Sequence, residues 1–185
     1  MSRWFWYFLI YGFLGYCLEK IFARTVKSPQ QVRKCFLLLP ICPVYGLAMC
    51  LVVAAAPEGI LAGAVTGGII CTGAEYVVHL WYDRLFQVRF WDYSRLPGNL
   101  QGRICPQFSL IWGLLSSLAL KWLQPGVRAA AEGMPPWLTY GVWLLLAADC
   151  VCTAALLSRW GDPEQLVLGT VIRQARASSQ SSTSR

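Results

Sequence analysis

Charge is scarce in this 185-residue sequence. Asp, Glu, Lys and Arg make up 14% of it and apolar residues 56%, whereas a soluble domain carries about a quarter charged residues. An ordinary water-soluble domain is thereby excluded. Histidine is scarcer still, with a single copy, His79. There is no H-E-x-x-H and no C-x-x-C, and Glu75 with His79 would supply too few ligands for zinc. A G-x-x-x-x-G-K-[ST] phosphate loop is also missing, so the sequence offers no nucleotide hydrolysis by that route. Neither a metal nor a cofactor is expected.

Long apolar runs are what the sequence has instead. A spanning helix needs about 20 mostly apolar residues, and five stretches qualify or nearly so: Trp4 to Ala23, Cys35 to Ala56, Ile60 to Tyr82, Phe108 to Leu123 and Trp137 to Leu157. The first lacks a small-residue cleavage site and is rich in Phe, Tyr and Trp, so it reads as a span and not a signal peptide. The expected fold is all-α, a polytopic integral membrane bundle of five transmembrane helices. Residues 1–160 form one transmembrane domain with a polar loop at 83–107, and 161–185 form a tail. Within that tail Glu164 to Arg176 suits an interfacial helix, and the Ser-rich end from about 177 is expected to be disordered.

Lys and Arg fall unevenly on the two sides that alternating spans create. Lys20, Arg24, Lys27, Arg33, Lys34, Arg84, Arg89, Arg95, Arg103, Arg159, Arg173, Arg176 and Arg185 share one side, leaving Arg3, Lys121 and Arg128 on the other. By the positive-inside rule the N-terminus lies outside and the C-terminus in the cytoplasm, which suits a multi-pass protein of the cell (inner) membrane. The net charge of +7 then reflects a face that meets anionic lipid headgroups and calls for no nucleic acid. On this placement Cys35 and Cys105 sit at cytoplasmic span ends, where thiols stay reduced. The other six cysteines lie within spans and read as small packing residues.

Polar residues inside the spans carry the functional signal, because an ionised carboxylate at a helix centre costs about 3 kcal/mol even on lenient insertion scales. Glu19, Glu75 and Asp149 all fall in the cytoplasmic half of their spans and are expected to line a cavity open to the cytoplasm, with His79 one turn from Glu75. Pro40, Pro43 and Gly46 interrupt the second span. Broken backbone at that depth is tolerated where protein or water covers it, and it often marks a transporter site. Gly59, Gly63 and Gly67 form a small-residue stripe suited to close helix packing. In the polar loop, Asp92, Tyr93, Asn99 and Arg103 stand near the membrane and complete the set of cavity candidates. Glu19, Glu75 and Arg103 are expected to meet, since opposite charges at this depth offset each other's cost.

Four segments carry a family resemblance: FLIYGFLGYCLE, LLLPICPVYG, the Glu75-Tyr76 pair, and WDYSRLPGNLQGRIC running on through FSLIWGLL. Over most of residues 5 to 123 the chain resembles the bacterial membrane family called Putative ABC-transporter type IV, the CmpB-like permeases. Tyr16, Gly98 and Pro106 depart from the family pattern, which commonly has Trp, Phe and Leu there. The resemblance implies a multi-pass membrane protein of permease type. It transfers no catalytic residue and no substrate.

The expected function is a transporter permease or transport-associated subunit with a cytoplasm-facing polar cavity, more readily not an enzyme than one. Two other readings stay open. One is a membrane-embedded enzyme for a lipid or lipid-linked substrate, with Glu75 or Asp92 as acid/base and Arg103 holding an anion. The other is a non-catalytic accessory subunit. Expected partners are membrane lipids, further copies of the chain and a separate ATP-binding subunit.

Overall fold

The computed structural model describes residues 2–25 and 35–160. The expected tail helix and disordered end lie outside these residues, as do Lys27, Arg33 and Lys34. Among the described residues the chain is all-helical, and its single β-bridge pairs Leu100 with Ile104 inside a loop. The helices are α1 (Ser2–Thr25), α2 (Pro43–Ala55), α3 (Gly59–Phe86), α4 (Pro106–Leu118), α5 (Gln124–Glu132) and α6 (Pro136–Trp160).

Two of these, α3 and α6 as far as Arg159, are long and apolar enough to cross a membrane. Less than a third of the most apolar stretch of α3 is buried, and less than a fifth of that of α6. Leu61, Ile69 and Val151, for instance, are each at least 70% exposed. A water-soluble protein hides such residues, whereas here they form the outer surface.

Close approach of small residues joins the helices in pairs. A side chain at Gly15 of α1 would overlap the Tyr45 ring of α2, and one at Gly46 would overlap the Phe8 backbone. Between α3 and α4, Gly63 faces Ser117, Gly67 faces Ser116, and Gly113 faces the Ala64 carbonyl. Such contacts matter most where water supplies no drive for apolar association. Gly59 starts α3 with a φ of +81° and has nothing within 4 Å of a would-be side chain, so it lies off the packed stripe.

The stretch expected as a second span does not run as one helix from Cys35. Residues 35–42 are irregular, and α2 begins only at Pro43, whose missing N–H costs nothing at a first helical position. In that irregular stretch Cys35 and Cys42 come within 5.0 Å between Cα atoms and form a disulfide. This corrects the reading of both as unpaired thiols. Seven residues of helix would have held them about 10 Å apart, whereas the proline-interrupted turn folds them together. Asp149 of α6 closes the turn from the other side. Its Oδ1 accepts the Leu38 N–H at 3.1 Å and its Oδ2 the Leu39 N–H at 3.0 Å, satisfying backbone donors that a helix would have paired internally.

Helix α4 continues through a π-helical turn, Ala119–Leu123, into α5. The Gln124 N–H reaches back five residues to the Ala119 carbonyl. Pro125 accounts for the widening: it has no N–H to give, and its ring crowds the preceding turn. Past this bend α5 packs on α1, where Tyr11 donates to Gln124 Oε1 at 2.8 Å and Trp6, Val127 and Ala131 share a buried cluster. The Trp6 indole donates to Thr139 at 2.9 Å, which holds the start of α6 against α1.

Candidate functional site

Helices α1 to α4 enclose a cavity of about 500 Å³, within the range usual for small-ligand pockets. Among the described residues, Glu19 and Glu75 are the only charged side chains that line it. Glu75 is 5% exposed. Its Oε1 accepts the Tyr93 hydroxyl at 2.8 Å and its Oε2 the Trp112 indole N–H at 2.9 Å. Three elements thus converge on it: α3 supplies the acid, α4 the indole, and the loop after α3 the phenol. Glu19 near the end of α1 accepts the Tyr45 hydroxyl from α2 at 2.7 Å. The Tyr45 ring in turn meets Trp112 edge to face, with centroids 5.2 Å apart, so an aromatic bridge separates the two acids.

The 35–55 segment contributes Cys42, Val44 and Tyr45 to the wall. On the opposite side the wall is incomplete. Leu14, Leu18 and Ile21 of α1, with Ile111 of α4 and Leu123 beyond it, line the cavity yet stay exposed, and α1 and α4 are not closely packed on each other. The cavity therefore opens sideways between α1 and α4. At one edge of this gap Phe22 and Phe108 touch across it, with ring centroids 6.1 Å apart.

The loop at 83–107 is built chiefly by its own hydrogen bonds. Asn99 donates from Nδ2 to the carbonyls of Leu96 at 2.7 Å and Ser94 at 3.2 Å, and its Oδ1 accepts the Gly102 N–H at 2.9 Å. Gly102 has a φ of +70°, and a side chain there would strike Asp92 Oδ1. Asp92 accepts the Ser94 N–H at 2.8 Å, and that bond holds its carboxyl below the usual range. The Tyr93 N–H donates to the Gly102 carbonyl at 2.7 Å. All of this positions the Tyr93 ring, stacked on Phe108 at 4.8 Å, so that its hydroxyl reaches Glu75. Burial, and then the Glu75 charge, push the Tyr93 phenol upward, so it acts as a proton-bearing donor.

Of the residues proposed from sequence for one cavity, the structure brings Glu19, Glu75 and Tyr93 to it. His79, Asp92, Asn99, Arg103 and Asp149 lie outside the lining. Arg103 does not meet the two glutamates. It forms a 2.9 Å ion pair with Asp83, also bonds Gln101 Oε1, and sits over the Tyr76 ring. His79 is buried and its Nε2 meets the Trp91 carbonyl at 3.0 Å, while the Trp91 indole donates to the Arg103 carbonyl at 3.0 Å. The first contact fastens the loop to α3, and the second ties two parts of the loop together. Among the described residues no group of three or more His, Cys, Asp or Glu stands close enough to hold a metal ion.

Trp112 and Tyr45 were missed as polar partners of the two acids. The signal available was their type: buried Trp and Tyr need a partner for their N–H or O–H, and acids within apolar helices need donors.

No curated protein and no solved structure matches the chain. The profile of the family described as Putative ABC-transporter type IV matches residues 6–154, a stretch that contains the cavity, the loop and most of α6. The chain belongs to that family.

Proposed function

We propose that this protein is a permease or transport-associated subunit crossing the cell (inner) membrane five times, through α1, the 35–55 segment, α3, the α4–α5 helix and α6. The N-terminus lies outside, and the 83–107 loop and C-terminus face the cytoplasm, as the Lys and Arg distribution asks. The observation that carries the reading is the layout of the polar groups: they are spread along a cavity wall. Glu19 with Tyr45 and Glu75 with Tyr93 and Trp112 form two separate stations. An enzyme for a lipid-linked substrate would aim acid, base and anion holder at one reacting atom. Here Arg103 is engaged by Asp83 and Asp92 by the Ser94 backbone, both outside the cavity. Any energy from ATP comes from a separate subunit, and oligomerisation completes a pathway that five passes alone make narrow.

Reconstituted protein, alone and with any co-purifying ATPase, tests the proposal against radiolabelled solutes and lipids. Movement of one of them, reduced by Glu75→Gln in folded protein, is the expected result. Chemical conversion of a lipid by the purified chain, abolished by Glu75→Gln or Arg103→Ala with folding intact, would establish the enzyme instead.

A further inference from the structure

The sideways opening of the cavity bears on what occupies it. The lining has three chemical parts. Its charge is wholly negative, from Glu19 and Glu75. Among the described residues, the second carboxylate oxygen of Glu19 accepts no hydrogen bond. Beside the acids stand aromatic rings, with Tyr45 edge-on to Trp112 and Tyr93 stacked on Phe108. The α1–α4 gap is edged by Leu14, Leu18, Ile111 and Leu123, all exposed.

We infer that the cavity takes an amphiphilic organic cation, with an ammonium head against the open carboxylate oxygen of Glu19, near Glu75, and an apolar tail lying out through the α1–α4 gap; the inference rests on the transport reading and supplies its substrate class. An anionic head would meet two carboxylates in a poorly screened site. Aromatic faces attract an alkylated ammonium, and neighbouring carboxylates neutralise it. A small hydrophilic cation would leave most of the apolar wall unused. The tail accounts for the open side, because an apolar chain can stay in contact with the lipid-facing residues of both helices while the head is held. The same chemistry occurs in a free long-chain alkylammonium and in an ammonium-headed membrane lipid.

Cys17 lines the cavity, so its alkylation reports occupancy. The purified full chain is placed in phosphatidylglycerol nanodiscs and treated with a thiol reagent, and the Cys17 peptide is quantified by mass spectrometry. Probes are tetradecyltrimethylammonium, tetradecyl sulfate and tetradecanol, each below its micelle concentration. Compared by the amount of each probe measured in the discs, because the anionic lipid itself concentrates a cation, the cation is expected to slow Cys17 alkylation at about a tenth of the level the sulfate needs. Glu19→Gln and Glu75→Gln should each remove most of that preference. Head selectivity on the unaltered chain decides the matter even where a variant fails to fold. A second set of discs, containing phosphatidylethanolamine, assigns the source: protection without added amphiphile supports the membrane lipid, and protection only by the added alkylammonium supports the free amine. Equal protection by all three probes, or better protection by the sulfate, overturns the cationic class and leaves the transport reading standing. Cation-selective protection with no transport of the bound cation would count against the transport reading alone.

Discussion

Tyr93 and Glu75 are joined by a 2.8 Å hydrogen bond across eighteen residues of sequence, and this bond ties the polar loop to the interior of the bundle. Replacing Tyr93 by Phe keeps the ring that stacks on Phe108 and removes only the donor. Glu75 then retains Trp112 alone. A hydrogen bond to a charged acceptor contributes about 1.5–3 kcal/mol, so Tyr93→Phe should lower thermal stability in detergent by that order and speed amide exchange across residues 92–105. A double-mutant cycle with Glu75→Gln should show that the two effects overlap. Strict additivity would mean that the bond contributes nothing to the fold.

Asp149 has a structural task at the irregular 35–42 segment. It is 8% exposed and occupied by two backbone donors. Asp149→Ala removes the acceptor of two part-buried backbone bonds, at about 0.5–3 kcal/mol each, and should cost more than Asp149→Asn, which keeps one acceptor oxygen. Thermal unfolding ranks the variants. Ligand protection of Cys17 should persist in Asp149→Asn, since this residue does not line the cavity.

These two acids mark where sequence reasoning reached and where it stopped. Both were singled out because a carboxylate within an apolar helix is costly, and the cost says that a partner exists without saying which one. Asp149 serves backbone donors freed by Pro40 and Pro43, a relation between α6 and residues 38–39 that no local pattern encodes. Arg103 was assigned to the glutamates by charge, yet Asp83, at the end of α3, is the partner it reaches. The helices were legible through length and apolarity, although α2 is shortened by its prolines and α4 runs on through a π turn. Gly98 and Pro106 turn out to be neighbours: a side chain at Gly98 would sit 3.2 Å from the Pro106 ring. Gly98 also holds a φ of +71°, which favours glycine and which only the folded loop reveals.

Acid should loosen the loop through Asp92. The Ser94 N–H holds this carboxyl below its ordinary range, so the folded loop favours the ionised form. The stabilisation is full above the ordinary carboxylate value, about 3.9, and is lost as pH falls through the lower folded value. Exchange protection of the Ser94 amide, normalised for the intrinsic pH dependence of exchange, should be flat between neutral and mildly acidic pH and should drop only below that range. Asp92→Asn keeps an acceptor oxygen and should abolish the drop. An equal drop in Asp92→Asn would assign it to another group.

The Cys35–Cys42 pair turns the orientation into a measurable redox state. Disulfides persist in oxidising compartments, and cytoplasmic thiols stay reduced. Since the pair lies on the side that carries Arg84, Arg89, Arg95 and Arg103, which the positive-inside rule places in the cytoplasm, the proposed orientation requires it to be a dithiol in growing cells. It should close to the disulfide on air exposure of purified protein, because the irregular turn already holds the Cα atoms 5.0 Å apart. Cells quenched in acid and alkylated under denaturing conditions should therefore yield both cysteines modified. In a cysteine-free background Arg95→Cys should resist a membrane-impermeant thiol reagent in sealed cells and react once they are opened. A disulfide already present in acid-quenched cells, together with labelling of position 95 from outside, would invert the topology. The cavity would then sit nearer the outer face, with Glu19 and Glu75 reached from that side.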